Sequence, residues 1–247
     1  VKNNEGEWVL LNGNQTALMF VYYLITRWKE LGKINGKEYI VKTIVTTETI
    51  KTIAERNGVE MYDVYTGFKW IANVMRENEG KKNYIGGGEE SYGFLCEDFV
   101  RDKDAVSACV ILAEIAAWAK DQGLSLYQLL QKIYVEYGFS KEKGISVVKK
   151  GKSGAEEIEA MMKKFRENPL TEIAGSKVTY FYDYSTLKGK DYAENETVTL
   201  DMPTTSNVLQ YFTEDNTKVS IRPSGTEPKI KFYCEVHSKV KSIDELP

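Results

Sequence analysis

Strand-like and helix-like segments alternate along this chain as far as about Lys150, after which strands dominate, and that order limits the folds open to it. Tyr39 to Val45 and Val59 to Val64 carry the β-branched and aromatic residues that strands favour, and Tyr84-Ile85 runs as a short strand into Gly86-Gly87-Gly88. Between them lie helical patterns. Leu18, Val21, Tyr22, Ile25, Trp28 and Leu31 fall on one face, with Asn14 as the expected cap and Gly32 as the stop. Thr47 to Arg56 suits a second helix, and Gly67 to Glu77 a third with Trp70, Ile71, Val74 and Met75 apolar. Asp104 opens a long apolar helix through Ala119, and Ser125 caps another through Tyr137. Such alternation predicts an α/β domain with a largely parallel sheet. Glu7-Trp8-Val9-Leu10-Leu11 reads as a strand whose partners would lie upstream.

Lys149-Lys150-Gly151-Lys152-Ser153-Gly154 is polar and glycine-rich, a linker by composition. One helix is expected beyond it, Ala155 to Arg166, then strands over Lys177 to Tyr184, Thr197 to Leu200 and Val208 to Thr213, and a last pair near the C-terminus. That is a smaller α+β domain, and 247 residues suffice for two ordinary domains. The net charge of −3 argues against a general polyanion surface, so nucleic acid is not an expected partner and any phosphate site must be local. No apolar run approaches the ~20 residues of a membrane helix, and no signal peptide opens the chain, so no membrane partner is expected. Cys96, Cys109 and Cys234 are scattered and odd in number, as reduced thiols of a cytoplasmic protein would be. His237 is the only histidine, which argues against Cys/His metal sites and Ser-His triads, and no metal-ligating residues are assigned.

Arg222-Pro223-Ser224-Gly225-Thr226-Glu227-Pro228-Lys229 has the equipment to grip a phosphate. The guanidinium is a planar fork of donors, Ser224 and Thr226 add hydroxyls, and Gly225 lets backbone N–H groups come close. Two prolines stiffen the loop, so little ordering entropy is lost when an anion binds. Alternation on both sides (Lys218 to Ile221; Ile230, Phe232, Cys234, Val236) places it between two strands. The competing reading is a proline-stiffened hairpin with an incidental arginine.

The second loop is Gly86-Gly87-Gly88-Glu89-Glu90-Ser91-Tyr92-Gly93. It lies at the end of a predicted strand, where open α/β sheets form ligand crevices, and its glycines are expected to free the backbone there. Two carboxylates and a hydroxyl suit a neutral polyol, whose hydroxyls donate to carboxylate oxygens. A solvated acidic turn is the competing reading. The hard ligands are too few for a self-sufficient cation site. Thr66-Gly67-Phe68-Lys69-Trp70 stands at a strand-to-helix junction, where N–H groups favour anions, though most such junctions only start a helix. In Arg101-Asp102-Lys103-Asp104, either aspartate can cap the following helix, and Lys103 can serve as a solvated cation or a ligand. A phosphate grip and a polyol grip in one chain suggest a sugar phosphate.

On these residues the chain resembles the α-D-phosphohexomutases, the phosphoglucomutase and phosphomannomutase superfamily. Gly88-Glu89-Glu90-Ser91-Tyr92-Gly93 is similar to that family's sugar-recognition loop, and Arg222-Pro223-Ser224-Gly225-Thr226 to the phosphate loop of its last domain. The resemblance covers essentially the whole chain, with the motifs in family order. It implies a mixed α/β sheet domain followed by a smaller α+β domain resembling the TATA-binding-protein fold. Residues 1–11 would be the tail of a truncated preceding domain, 12–150 the family's third domain and 151–247 its fourth.

The same resemblance implies an isomerase, an intramolecular phosphotransferase of carbohydrate metabolism that interconverts hexose 1-phosphate and hexose 6-phosphate, with glucose the favoured sugar. Glu89, Ser91, Thr66, Gly67 and Lys103 would contact the sugar, and Arg222, Ser224, Gly225 and Thr226 would hold the phosphate that is not being transferred. The phosphoserine loop and the Mg²⁺ loop of the complete enzyme are not in this sequence, so it implies no catalytic residue here and an inactive fragment. Hexose 1,6-bisphosphate would be the intermediate and activator. The missing N-terminal domains would be this chain's partners, and the family usually continues into a terminal helix beyond the last strand. Mannose, pentose and glucosamine phosphates remain open as substrates, as does a non-enzymatic sugar-phosphate-binding module.

Overall fold

A computed structural model describes residues 1–149, 151–225 and 227–247, apart from the side chain of residue 152. The chain divides into two compact units, residues 1–140 with 238–247, and residues 141–237. The expected boundary at Lys150 falls on a residue outside the described set.

In the first unit, strands β1 (Glu38–Thr43), β2 (Glu60–Val64), β3 (Asn83–Gly88) and β4 (Phe94–Cys96) form a sheet of order β2-β1-β3-β4. β1 pairs in parallel with β2 and β3, and β4 closes the edge antiparallel to β3. Every residue of β1 is buried, as expected of a central strand covered on both faces. Helices α1 (Gly13–Glu30), α2 (Thr49–Arg56), α4 (Ala105–Asp121) and α5 (Leu126–Tyr137) share one core with Ile40, Ile85 and Cys96. α3 (Phe68–Asn78) packs Phe68, Ile71 and Met75 into a second core with Tyr39, Val41, Tyr84 and Leu95. Neighbouring residues in β1 and β3 thus feed opposite cores, the period-2 signature of a strand. A fully buried isoleucine or leucine is worth about 1.5–3 kcal/mol over an exposed one, which fixes which face of each helix turns inward.

Several local expectations need correction. Asn12, not Asn14, caps α1: its Oδ1 accepts from the Gln15 N–H at 2.8 Å, and Gln15 Oε1 accepts from the Asn12 N–H at 2.9 Å. Asn14 is buried instead and accepts from the Thr47 N–H at 3.0 Å. Glu7 to Leu11 is not a strand; Trp8 makes one isolated antiparallel bridge with Lys2, and Leu10 is 92% exposed. The three glycines do not free the backbone beyond the strand but complete β3. A Cβ on Gly87 would lie 2.3 Å from the Val41 carbonyl oxygen, and one on Gly88 would lie 2.6 Å from that of Gly93. Their role is close backbone approach, and none of the three has positive φ.

At the far end of β1, Glu38 is nearly fully buried and ties down the turn before it. Its Oε2 accepts from the N–H groups of Asn35, Gly36 and Lys37 at 2.7, 2.9 and 3.1 Å, and Oε1 from Asn83 Nδ2 at 3.0 Å. Burial alone would raise the Glu38 carboxyl, but these hydrogen bonds outweigh it and hold it below its ordinary value of 4.5. A carboxylate with a lowered folded pKa stabilises fully above its ordinary value, and that contribution fades as pH falls through the folded value. Glu38→Gln is therefore expected to cost about 1.5–3 kcal/mol at neutral pH. The deficit should shrink below roughly pH 4.5, measured as the wild-type-minus-variant difference in urea unfolding across a pH series. A deficit independent of pH would show that the carboxylate charge contributes nothing.

The second unit holds β5 (Phe139–Val148, of which the first two residues belong to the first unit), α6 (Gly151–Glu167), β6 (Glu172–Ile173), β7 (Ser176–Asp183), β8 (Lys188–Asp191), β9 (Glu196–Thr199), β10 (Leu209–Thr213), β11 (Lys218–Pro223) and β12 (Lys229–Ser238). The sheet order is β5-β12-β11-β10-β7-β8-β9, with β6 beside β7. Ile158 and Met162 of α6 pack on Phe181, Leu209, Tyr211, Ile221 and Ile230. The helix begins at Gly151, so much of the expected linker is helical. This unit is smaller and largely β-sheet, as expected.

Candidate functional site

The candidate residues of the first unit gather at the carboxyl ends of β1, β2 and β3. β2 runs out through Tyr65-Thr66-Gly67 into α3, and Gly67 takes φ 113°, a backbone conformation open to glycine and strained for other residues. β3 runs out into Glu89, whose side chain is nearly buried. Glu89 Oε1 accepts from the Gly67 N–H at 2.8 Å, so the loop after β3 and the Thr66-Gly67 junction are joined directly. The Glu89 N–H in turn donates to the Gly93 carbonyl at 2.8 Å and closes the loop.

Lys103 comes to the same place. A Cβ on Gly93 would stand 2.9 Å from Lys103 Cδ and 3.1 Å from Glu89 Oε2, so both side chains flank that glycine. The Lys103 ammonium sits 5.6 Å from the centre of the Phe68 ring, about half exposed, and 3.4 Å from Asp102 Oδ1. Asp104, rather than Asp102, caps α4, accepting from the Ser107 and Val106 N–H groups at 2.9 and 3.3 Å. The Ser107 side chain, followed by the Ser107 and Val106 N–H groups, lowers the Asp104 carboxyl below the ordinary range. Ser91 is exposed at the loop apex, and Thr66 is half-buried beside Gly67.

Sequence reading missed the polar floor beneath this loop. Lys42 at the end of β1 is 1% exposed, with its ammonium 2.7 Å from Asp63 Oδ1 and 2.9 Å from Glu48 Oε1. Thr43, also buried, donates to Glu90 Oε2 at 3.3 Å, so the two adjacent glutamates have different anchors. The available signal was a lysine and a threonine closing the apolar run Tyr39-Ile40-Val41, where a strand covered on both faces should stay apolar. Among the described residues, no cluster of three or more His, Cys, Asp or Glu side chains could hold a metal ion. The donor set therefore does not fit a Mg²⁺ centre, and no step is assigned to one.

In the second unit Arg222 lies near the end of β11, directly opposite Lys231 of β12. Opposed cations on neighbouring strands repel, and an anion between them would relieve that repulsion. Among the described residues, no carboxylate pairs with the Arg222 guanidinium, and the side chain is half-buried. Lys229 is neutralised locally by Glu227, whose carboxyl the ammonium holds below its ordinary value. The turn is closed by the Ser224 N–H donating to the Lys229 carbonyl at 2.8 Å and by the Glu227 N–H donating to Ser224 Oγ at 3.3 Å. Gly225 is exposed, with open space where a side chain would point. Thr226 lies outside the described residues. No helix among the described residues is long and apolar enough to cross a membrane.

Comparison with known proteins gives these geometries a context. Residues 12–137 match "Phosphoglucomutase/phosphomannomutase, alpha/beta/alpha domain III", and residues 146–245 match "Phosphoglucomutase/phosphomannomutase, C-terminal domain". The chain is 37% identical over 245 residues to the phosphoglucomutase of Staphylococcus aureus strain MRSA252, covering 99% of this chain and 43% of that protein. It is 33% identical over 236 residues to that of Staphylococcus haemolyticus strain JCSC1435, covering 96% of this chain and 42% of the relative. The chain thus spans about two fifths of the length of the curated relatives it matches. Among solved structures, parafusin from Paramecium, a phosphoglucomutase, superposes with a TM-score of 0.62 at 15% identity, covering 98% of this chain and 39% of that one. A phosphoglucomutase/phosphomannomutase family protein from Burkholderia thailandensis gives 0.57 at 14% identity, covering 96% and 40%. Likeness at that identity speaks for the fold.

Proposed function

We propose, from the premise that the chain belongs to the phosphoglucomutase/phosphomannomutase family, that it is the substrate-recognition half of a hexose-phosphate mutase acting on glucose phosphates. The observation that carries this reading is Glu89. A nearly buried carboxylate at the carboxyl end of a parallel sheet is held by the Gly67 amide, with the Lys103 stem across Gly93 from it. A carboxylate fixed by one oxygen can accept sugar hydroxyls on its remaining lone pairs with little further ordering. Ser91 and Thr66 add hydroxyls to the same end of the sheet.

The Arg222 turn supplies the complementary function. In a reaction that moves a phosphoryl group between the two ends of a hexose through a phosphoserine enzyme and a bisphosphate, one phosphate must stay anchored while the other reacts. Arg222, Ser224, Gly225 and Thr226 are the proposed anchor, and recognition by charge and shape lets it accept either end of the sugar. Their contribution is positioning rather than bond making. Phosphoryl carriage and Mg²⁺ are assigned to the part of the relatives that this chain does not span.

The test is a coupled assay of glucose 1-phosphate conversion to glucose 6-phosphate. The complete gene product is expected to turn over, with mannose and pentose phosphates slower, and residues 1–247 alone to give background. A complete protein that binds glucose 1-phosphate without turnover would make it a binding module. Turnover by residues 1–247 alone would overturn the division of labour.

A further inference from the structure

We propose that Gly13 and Tyr92 are positioning residues that clamp the loop of residues 88–93 to the start of α1, setting its geometry from outside the loop. The inference rests on the reading of that loop as the sugar-recognition loop. The Glu90 carbonyl lies directly against the Cα of Gly13. A Cβ there would stand 1.9 Å from the Glu90 oxygen, 2.6 Å from its carbonyl carbon and 2.8 Å from the Tyr92 nitrogen. All three are backbone atoms and a Cβ has no rotamer, so a side chain at residue 13 forces the loop or the helix start to move. The glycine's value here is close approach rather than unusual φ.

The second clamp is the Tyr92 hydroxyl, which donates to the Leu11 carbonyl at 2.8 Å. Tyr92 holds φ 71°, a left-handed conformation that an aromatic residue rarely adopts, and is 55% exposed. A strained residue persists where its surroundings over-determine it, and here the Glu89–Gly93 closure and the Leu11 contact do so. Ser91 lies between the two clamped residues, and Glu89 immediately precedes them. The reference surface is itself rigid: the Asn12–Gln15 capping box fixes the first turn of α1, and buried Asn14 ties it to Thr47.

The experiment is steady-state kinetics and melting of Gly13→Ala, Tyr92→Phe, Glu89→Gln and Ile53→Val in the full-length enzyme, with glucose 1-phosphate as substrate. Ile53 is a fully buried core residue of α2 and serves as the control for plain destabilisation. Tyr92→Phe should raise KM about three- to tenfold, the worth of one hydrogen bond, with Tm within about 2 °C of wild type. Gly13→Ala should lower kcat/KM by about thirtyfold or more, through both KM and kcat, since overpacking against backbone displaces the loop. Ile53→Val should lower Tm and leave KM unchanged. If Gly13→Ala fails to fold, Tyr92→Phe decides alone. Wild-type kinetics in the clamp variants beside an impaired Glu89→Gln would overturn the clamp and leave the sugar-loop reading standing. Wild-type kinetics in Glu89→Gln as well would overturn both. KM changes in Ile53→Val as large as those in the clamp variants would reduce Gly13 and Tyr92 to structural residues.

Discussion

Arg222→Ala is expected to weaken capture of a phosphorylated ligand by about 1.5–3 kcal/mol, roughly ten- to a hundredfold or slightly more, while folding stays intact. The asymmetry follows from the strand register. Arg222 faces Lys231 across the β11–β12 pair, and no carboxylate among the described residues pairs with it. Its removal therefore leaves no anion unpaired and relieves a like-charge contact. The ligand, by contrast, loses a two-pronged contact that Lys231 cannot replace, because an ammonium is a point charge without the planar fork. Arg222→Lys should recover part of the affinity. Kd for glucose 1-phosphate by calorimetry, with melting curves alongside, checks both halves. Unchanged affinity with intact structure would show that this loop is only a turn.

Glu89→Ala should be the most damaging change in the first unit, lowering kcat/KM by about a hundredfold in both reaction directions, because the proposed mechanism requires a bisphosphate to bind in two orientations. It should also cost about 1–3 kcal/mol of stability, since the Gly67 N–H loses the acceptor that it meets at 2.8 Å. Glu89→Gln separates the two effects. The amide oxygen can still accept from Gly67, so stability should nearly return, whereas bonds from sugar hydroxyls weaken with the lost charge. Substitutions at Glu90 should cost less than about fivefold, because that carboxylate is anchored away by Thr43. Forward and reverse kinetics of the paired variants give the answer. Equal, small effects at Glu89 and Glu90 would make the loop a solvated acidic turn.

The sequence was legible where a residue's role depends on its near neighbours. Strand and helix alternation through residue 137 and the strand pair around Arg222 are local periodicities, and the structure carries them. Ser125 and Asp104 are local caps, and both accept from the N–H groups expected of them. Sequence reading missed β4, β5, β6 and β8. β4 has only three residues, and three of the four residues of β8, Lys-Gly-Lys-Asp, are charged, so that its pairing with β7 and β9 holds it.

By itself, the sequence determined the helices and strands with a clear period, where the two candidate loops fall along the chain, and the family, because each is written in residues close together or in motifs of fixed spacing. The tertiary structure alone decided what those residues touch. Gly86-Gly87-Gly88 read as glycines that free the backbone until β1 and the Gly93 backbone closed on them, which only strand pairing could arrange. Asn14 looked like a cap until α1 packed against the turn carrying Thr47. Glu89 and Glu90 are chemically identical neighbours, and nothing local says which reaches Gly67 and which reaches Thr43. Gly13 reads as an ordinary helix start until the Glu90 carbonyl comes to rest on it. Local sequence records propensity and period, whereas the fit of two backbones far apart in the chain exists only once the hydrophobic cores have brought them together.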